Sequence, residues 1–309
     1  MLLDKKTILI LGGSGFIGTN LGKYLSKKNK IIIVTKNNKI RIHKKNYRVI
    51  KADITKSKNL SSIFNKFKDL YIINCSGYID HKNIEENKKS DIILNHYSLI
   101  QKIFENIKFK NIKKFIQIGS SDEYGSNISP LREDMREYPF STYSFSKTAS
   151  THYLQMLHKT LGIKTTVLRV FLAYGPGQDN KRFIPQIVDG CLKNKKFPTS
   201  EGKQLRDFIY IDDLCKAVEL IINSNNSKLD GEIFNIGTGK PVEIRQMIKK
   251  IVKIIGKGQP MFGEIKYRSG ENMSLYPSIR KIKKILNWSP KTTLAEGLKK
   301  TISYYQSEI

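Results

Sequence analysis

Tyr143 and Lys147 stand four residues apart in Tyr143-Ser144-Phe145-Ser146-Lys147, a spacing that sets both side chains on one face of a helix. A phenol with an ordinary pKa of about 10 is a weak acid–base near neutrality, and an ammonium beside it favours the phenolate. Such a pair suits proton transfer, although a tyrosine four residues before a lysine also arises by chance. Upstream, the apolar run 115–118 leads into Gly119-Ser120-Ser121-Asp122-Glu123-Tyr124-Gly125, which places a hydroxyl at the end of a strand. A strand-end hydroxyl followed by the helical pair is a far more specific constellation. Ser120 would hydrogen-bond a reacting oxygen while Tyr143 gives or takes its proton, with Lys147 as the supporting cation.

Moving a proton from an oxygen is half of a redox step, and the N-terminus offers a place to hold the other half. Ile8-Leu9-Ile10-Leu11 runs into Gly12-Gly13-Ser14-Gly15-Phe16-Ile17-Gly18, a G-x-x-G-x-x-G turn between a strand and a helix. Glycines there permit a tight turn, and the helix N-terminus presents N–H groups to a pyrophosphate. The cofactor contacts expected from this turn are Gly12, Ser14, Gly15, Phe16, Ile17 and Gly18. A nicotinamide held there would exchange hydride at the carbon whose oxygen Tyr143 serves, with Tyr143 and Lys147 also touching the cofactor. At the end of the second strand, Val34-Thr35-Lys36-Asn37 lacks the acid that usually holds an unphosphorylated ribose. Lys36 could pair with a 2′-phosphate, so NADP(H) is preferred and NAD(H) admitted; the competing reading is one more surface lysine. Asp53, with Ile54 after the third strand, could accept from the adenine amino group, or simply form a turn.

These residues need a scaffold that brings distant segments together. Runs at Thr7–Leu11, 31–35, 71–74, 115–118 and Thr165–Val170 read as buried strands, with amphipathic helical stretches such as 17–27 and 90–107 between them. Strand–helix alternation predicts an α/β fold, a Rossmann-type doubly wound parallel sheet. After about Tyr174 the rhythm breaks into loops and shorter elements. The expected division is a cofactor-binding and catalytic part over 1–174 and a smaller substrate-binding α/β part over 175–309, interleaved with the first.

Composition bounds the alternatives. A chain of 309 residues that is 39% hydrophobic can bury a large core. No apolar run approaches the roughly 20 residues that span a bilayer. Cys75, Cys191 and Cys215 are widely spaced, which suggests neither a metal site nor a disulfide framework and makes a cytoplasmic setting the expectation. The net charge of +28 invites a nucleic-acid reading, but the lysines are dispersed and no recognition motif gathers them. A solvated lysine-rich surface, with no nucleic acid and no membrane as partner, is the expectation.

The chain resembles the extended short-chain dehydrogenase/reductase family, in its nucleotide-sugar epimerase/dehydratase/4-ketoreductase branch. Beside the glycine turn, Ser120, Tyr143 and Lys147, the resemblance rests on four later segments: Leu168-Arg169-Val170-Phe171-Leu172-Ala173-Tyr174-Gly175-Pro176, Arg206-Asp207-Phe208-Ile209-Tyr210-Ile211-Asp212-Asp213, Phe234-Asn235-Ile236-Gly237-Thr238-Gly239 and Leu286-Asn287-Trp288-Ser289-Pro290. It implies an enzyme acting on a nucleotide-sugar, a homodimer, Arg206 and Arg268 on the substrate diphosphate, and Ser121 and Asp122 near the sugar. Leu172 departs from the usual asparagine of its segment.

Three reactions share such a site. NADPH-dependent reduction of a 4-keto sugar is the favoured expectation, because Thr35-Lys36 favours a cofactor that is consumed. Epimerisation at C4 and 4,6-dehydration are the alternatives. Dehydration needs extra acid–base groups just after the hydroxyl, found here as Ser121-Asp122 or, slipped by one residue, Asp122-Glu123. A catalytically silent cofactor-binding regulator is the reading from another class, and an intact Ser-Tyr-Lys set argues against it.

Overall fold

The computed structural model describes residues 5–36, 46–56, 60–79, 91–267 and 270–308. Its centre is a seven-stranded parallel sheet. The strands are β1 (Thr7–Leu11), β2 (Lys30–Thr35), β3 (Tyr47–Lys51), β4 (Leu70–Asn74), β5 (Ile112–Ser120), β6 (Thr165–Val170) and an edge strand, Glu232–Ile236. From one edge to the other the order is Glu232–Ile236, β6, β5, β4, β1, β2, β3. In β1 and β6 nearly every residue is buried, as a sheet covered by helices on both faces requires.

The chain winds outward from β1 through β2 to β3, then returns to lay β4 on the opposite side of β1 and winds the other way. That reversal opens a crevice at the carboxyl ends of β1 and β4, the usual ligand position in open α/β sheets. Helix α1 (Phe16–Leu25) starts at the end of β1. A short helix α2 (Leu60–Phe64) follows β3, and α3 (Leu99–Asn106) follows β4 after a wider π-type turn at Leu94–Ser98. The longest helix, α4 (Thr142–Leu161), joins β5 to β6. The helical stretch expected over 90–107 runs without a break from Ile92 to Asn106 and contains the π-type turn, and Ser90 lies outside the described residues. Within the π-type turn His96 is buried.

The part after Tyr174 is woven into the sheet. Glu232–Ile236 pairs with β6, and α6 (Ile211–Asn223), which follows α5 (Phe183–Leu192), packs against α1. One apolar cluster runs from Ile8 in β1 to Ile302 near the C-terminus. A sequence boundary at 174 therefore marks a change of rhythm within a shared core. No helix among the described residues is long and apolar enough to cross a membrane.

Candidate active site

β5 and α4 bring the three sequence-selected residues to one corner. Ser120 is the last residue of β5, at the carboxyl edge of the sheet. Tyr143 occupies the first turn of α4, and Lys147 follows one turn on. The start of that helix is fixed by a reciprocal cap: the Ser144 N–H donates to Oγ of Ser141 at 3.1 Å and the Ser141 N–H to Oγ of Ser144 at 3.0 Å. Ser120, Tyr143 and Lys147 are all buried. The Ser120 hydroxyl accepts from the Asp122 N–H at 3.1 Å and lies close enough to the Tyr143 phenol to favour its ionised form.

The electrostatics differ from the simple picture of an ammonium beside a phenol. Nζ of Lys147 donates to the Ile118 carbonyl at 2.8 Å and lies 5.9 Å from the centroid of the Tyr143 ring. Burial, then the charge of Asp122, push the Tyr143 phenol well above its ordinary range, while the nearby Ser120 hydroxyl opposes them. Burial pushes Lys147 down to about 8, with Glu123, Cys75 and Asp122 favouring its charged form. In the protein alone, Tyr143 is therefore a neutral phenol.

The glycine turn fits a dinucleotide. Gly12 has φ +72°, and a Cβ there would fall 2.7 Å from the backbone of Ser76, so the end of β1 packs directly on the loop after β4. Gly15 forms the N-cap of α1; a Cβ there would meet only the Gly12 carbonyl, at 3.4 Å, so the face above the turn is open where a pyrophosphate would lie. Oγ of Ser14 is 2.7 Å from Oγ1 of Thr35, which ties the turn to the end of β2. Phe16 and Ile17 are half-buried against the core beside the buried Gly18.

The adenosine end matches expectation less closely. Lys36 is exposed and near enough to Asp53 to favour its ionised form. The Asp53 carboxylate accepts from the Thr55 hydroxyl at 2.6 Å and N–H at 3.0 Å, which is turn-forming geometry. The Ile54 side chain belongs to the core with Leu11 and Val34, so a cofactor contact at this residue would fall to its backbone.

The expected substrate contacts divide. Ser121 is buried, and half-buried Asp122 stands beside Tyr143. Arg206 is not a freely presented cation: its guanidinium pairs with Glu271 and donates to the Leu205 carbonyl at 2.9 Å. Arg268 lies outside the described residues. Glu123 overturns the slipped dehydratase pattern, because its carboxylate is consumed internally. It accepts from the Ser120 N–H at 2.8 Å, the Thr151 hydroxyl at 2.7 Å and Nε of Arg169 at 2.9 Å. The clue was present in sequence, since Ser120-x-x-Glu123 is a capping-box pattern.

His96 was not foreseen. Its ring stands edge-on to Tyr143 with centroids 5.3 Å apart and lies against Gly77, whose φ of +101° brings the backbone close. Nε2 is 2.9 Å from the Tyr78 carbonyl, while buried Nδ1 has no hydrogen-bond partner among the described residues. Burial, then the charge of Lys147, push its pKa down to about 3, so the imidazole is neutral. No pattern around Leu94-Asn95-His96-Tyr97 signals this. Among the described residues, no group of three or more His, Cys, Asp or Glu side chains is placed to hold a metal ion.

Comparison with known proteins agrees with this arrangement. Residues 8–237 match the NAD dependent epimerase/dehydratase family. A Methanocaldococcus jannaschii protein with a provisional assignment as UDP-glucose 4-epimerase is 32% identical over 312 residues, covering 97% of this chain and 98% of its own. A Dictyostelium discoideum dTDP-D-glucose 4,6-dehydratase is 31% identical over 275 residues, 80% of this chain and 62% of its own. The crystal structure of UDP-glucuronic acid 4-epimerase from Bacillus cereus, in complex with UDP-glucuronic acid and NAD, superposes with a TM-score of 0.87. It is 25% identical, over 98% of this chain and 100% of that one. With a strand-end serine, a helical tyrosine–lysine pair and a dinucleotide turn on a doubly wound sheet, this chain is an enzyme of the NAD-dependent epimerase/dehydratase family, within the extended short-chain dehydrogenases/reductases.

Proposed function

We propose that this enzyme is a nucleotide-sugar 4-epimerase acting through Ser120, Tyr143 and Lys147. The observation that carries the reading is the composition of the turn after β5. Glu123 is locked to Arg169, and of the two carboxylates of that turn Asp122 acts the more strongly on the Tyr143 phenol. Dehydration asks for both a base at C5 and an acid at C6, whereas epimerisation asks only for proton transfer at the C4 oxygen. Two of the three relatives named above carry epimerase names, and the chain spans the full length of the solved one. This corrects the expectation of 4-keto reduction, which none of these three relatives supports.

In this reading Ser120 holds the C4 oxygen of the sugar and Tyr143 takes its proton, then returns it after the ketone has presented its other face. Lys147, anchored on the Ile118 carbonyl, orients the cofactor and contributes positive charge. The nicotinamide, when bound, accepts and gives back the hydride, and its oxidised form adds the cationic field that a phenol raised by burial and by Asp122 needs in order to ionise. Cofactor and enzyme leave the cycle as they entered it.

Exposed Lys36, with no acid at Thr35-Lys36, supports binding of NADP(H) at least as readily as NAD(H). The substrate class is a nucleoside-diphosphate sugar, with UDP-glucose and UDP-glucuronic acid as first choices from the relatives' names. Exposed Phe145 and Met156 on α4, beside exposed Ile93 and Leu94, supply an apolar face for a homodimer, which sedimentation at micromolar concentration tests. The function is tested by incubating purified protein with these sugars and following product and cofactor together. An epimer of unchanged mass with no net cofactor consumption is expected; water loss or stoichiometric oxidation of the cofactor would refute the reading.

A further inference from the structure

Glu123 is fully buried, and no step of the proposed reaction uses it. Its two oxygens reach three separate elements. Oε1 accepts from the backbone of Ser120 at the end of β5. Oε2 accepts from Thr151 on α4 and from Arg169 on β6. Thr151 follows Lys147 by four residues and Tyr143 by eight, so the three share one face of α4. A single carboxylate thus bridges the backbone of the proposed oxygen-binding serine and the helix that carries its two partners.

A carboxylate away from water needs partners for both of its oxygens, and the surroundings provide them. Arg169 is itself fully buried and also pairs with Glu137. Its guanidinium lies 4.4 Å from the ring centroid of Tyr124, the residue after Glu123. Compared with apolar packing of similar volume, a buried pair of this kind brings little stability. What it does provide is fixed direction, since each bond holds only while the strand end and the helix keep their mutual register.

We propose that Glu123 is a positioning residue for catalysis, fastening Ser120 to the face of α4 that carries Tyr143 and Lys147, with Arg169 aiming its carboxylate. The proposal rests on the reading of those three residues as the catalytic set. It has an electrostatic consequence too. Lys147 is faced by Glu123 and Asp122 from the turn after β5, by Cys75 from the end of β4, by neutral His96 from the π-type turn and by Tyr143 on its own helix. Glu123 is the largest of the influences that oppose burial in keeping Lys147 protonated.

The test uses the full-length protein and three variants, Thr151→Val, Thr151→Ser and Glu123→Gln. Turnover of the nucleotide-sugar gives kcat and KM. Trace reductive methylation of cofactor-free protein, read peptide by peptide by mass spectrometry across pH, gives the titration midpoint of Lys147 without reference to activity. Thr151→Val is expected to lower kcat about 10-fold or more with KM within about twofold, since small displacements of reacting groups cost rate rather than ground-state binding. Thr151→Ser, which keeps the hydroxyl, is expected to retain kcat. Glu123→Gln is expected to move the Lys147 midpoint down by about one pH unit. If Thr151→Val turns over like the wild type, or if Lys147 titrates unchanged in folded Glu123→Gln, the proposal is overturned. Should Glu123→Gln fail to fold, the two Thr151 variants decide. A wild type that converts no nucleotide-sugar, yet shows the Lys147 shift on Glu123→Gln, would remove the epimerase reading and leave the tether standing.

Discussion

His96 makes the protein's stability depend on pH in a way that can be worked out in advance. In the folded state its pKa is pushed down to about 3 from an ordinary 6.5. Nε2 is committed to the Tyr78 carbonyl, and a proton added at buried Nδ1 would find no acceptor among the described residues while facing the charge of Lys147. The unfolded chain binds that proton normally. Between about pH 6.5 and 3 the unfolded state therefore holds more protons than the folded one, and stability falls as pH falls. Integrating from pH 7 to pH 5 gives a loss of about 2 kcal/mol, nearly the same for any folded pKa below about 4. Other groups titrate in this range, so the assay is a difference: urea unfolding of the wild type and of His96→Gln at both pH values. The glutamine amide keeps a donor for the Tyr78 carbonyl and cannot titrate. The wild type should lose about 2 kcal/mol more than the variant on going to pH 5. Equal losses would show that His96 is protonated in the fold and that the buried, neutral environment is wrong.

Other expectations follow from the same geometry. Tyr143→Phe should lower kcat by about 100-fold or more while leaving cofactor affinity within a few-fold, read by steady-state kinetics and fluorescence titration. Gly12→Ala should cost about 2 kcal/mol or more in thermal or urea unfolding, because its φ of +72° and the 2.7 Å approach to Ser76 both exclude a methyl group. Gly15→Ala, whose Cβ has room in the protein, should change stability by no more than about 1 kcal/mol yet weaken cofactor binding about 10-fold. Lys36→Asp should shift calorimetric preference from NADP(H) toward NAD(H), and unchanged preference would remove Lys36 from the cofactor site.

The scaffold was legible wherever burial produced an uninterrupted apolar run. β1 and β6 fall at the bounds expected from sequence, and for β1 the reason is local, since Lys5-Lys6 and Gly12-Gly13 flank Thr7–Leu11. β5 starts three residues earlier than its apolar run, because Lys114 is buried within it and paired with Asp230 at 3.6 Å. A lysine compensated from across the fold carries no local sign of being interior. The same limit governed the site. The serine, tyrosine and lysine could be picked out by type and spacing, and β5 and α4 bring them to one corner. Glu123 was misread as a possible acid–base because its partners Arg169 and Thr151 are supplied by other elements. His96 had no sequence signal, since its environment is made by Gly77, Tyr143 and the π-type turn. Arg206 was placed on the diphosphate from its motif, and its pairing with Glu271 is a tertiary fact.

The most direct test of the account is the fate of hydrogen and cofactor in a single reaction. Purified enzyme is incubated with UDP-glucose or UDP-glucuronic acid, proton NMR follows the sugar, mass spectrometry follows the product, and absorbance follows reduced nicotinamide. The account predicts a mixture of two C4 epimers of identical mass, formed with no net change in reduced cofactor and lost in Tyr143→Phe. A product lighter by one water, or a 4-keto sugar reduced with equimolar loss of NAD(P)H while neither UDP-sugar is epimerised, would contradict it.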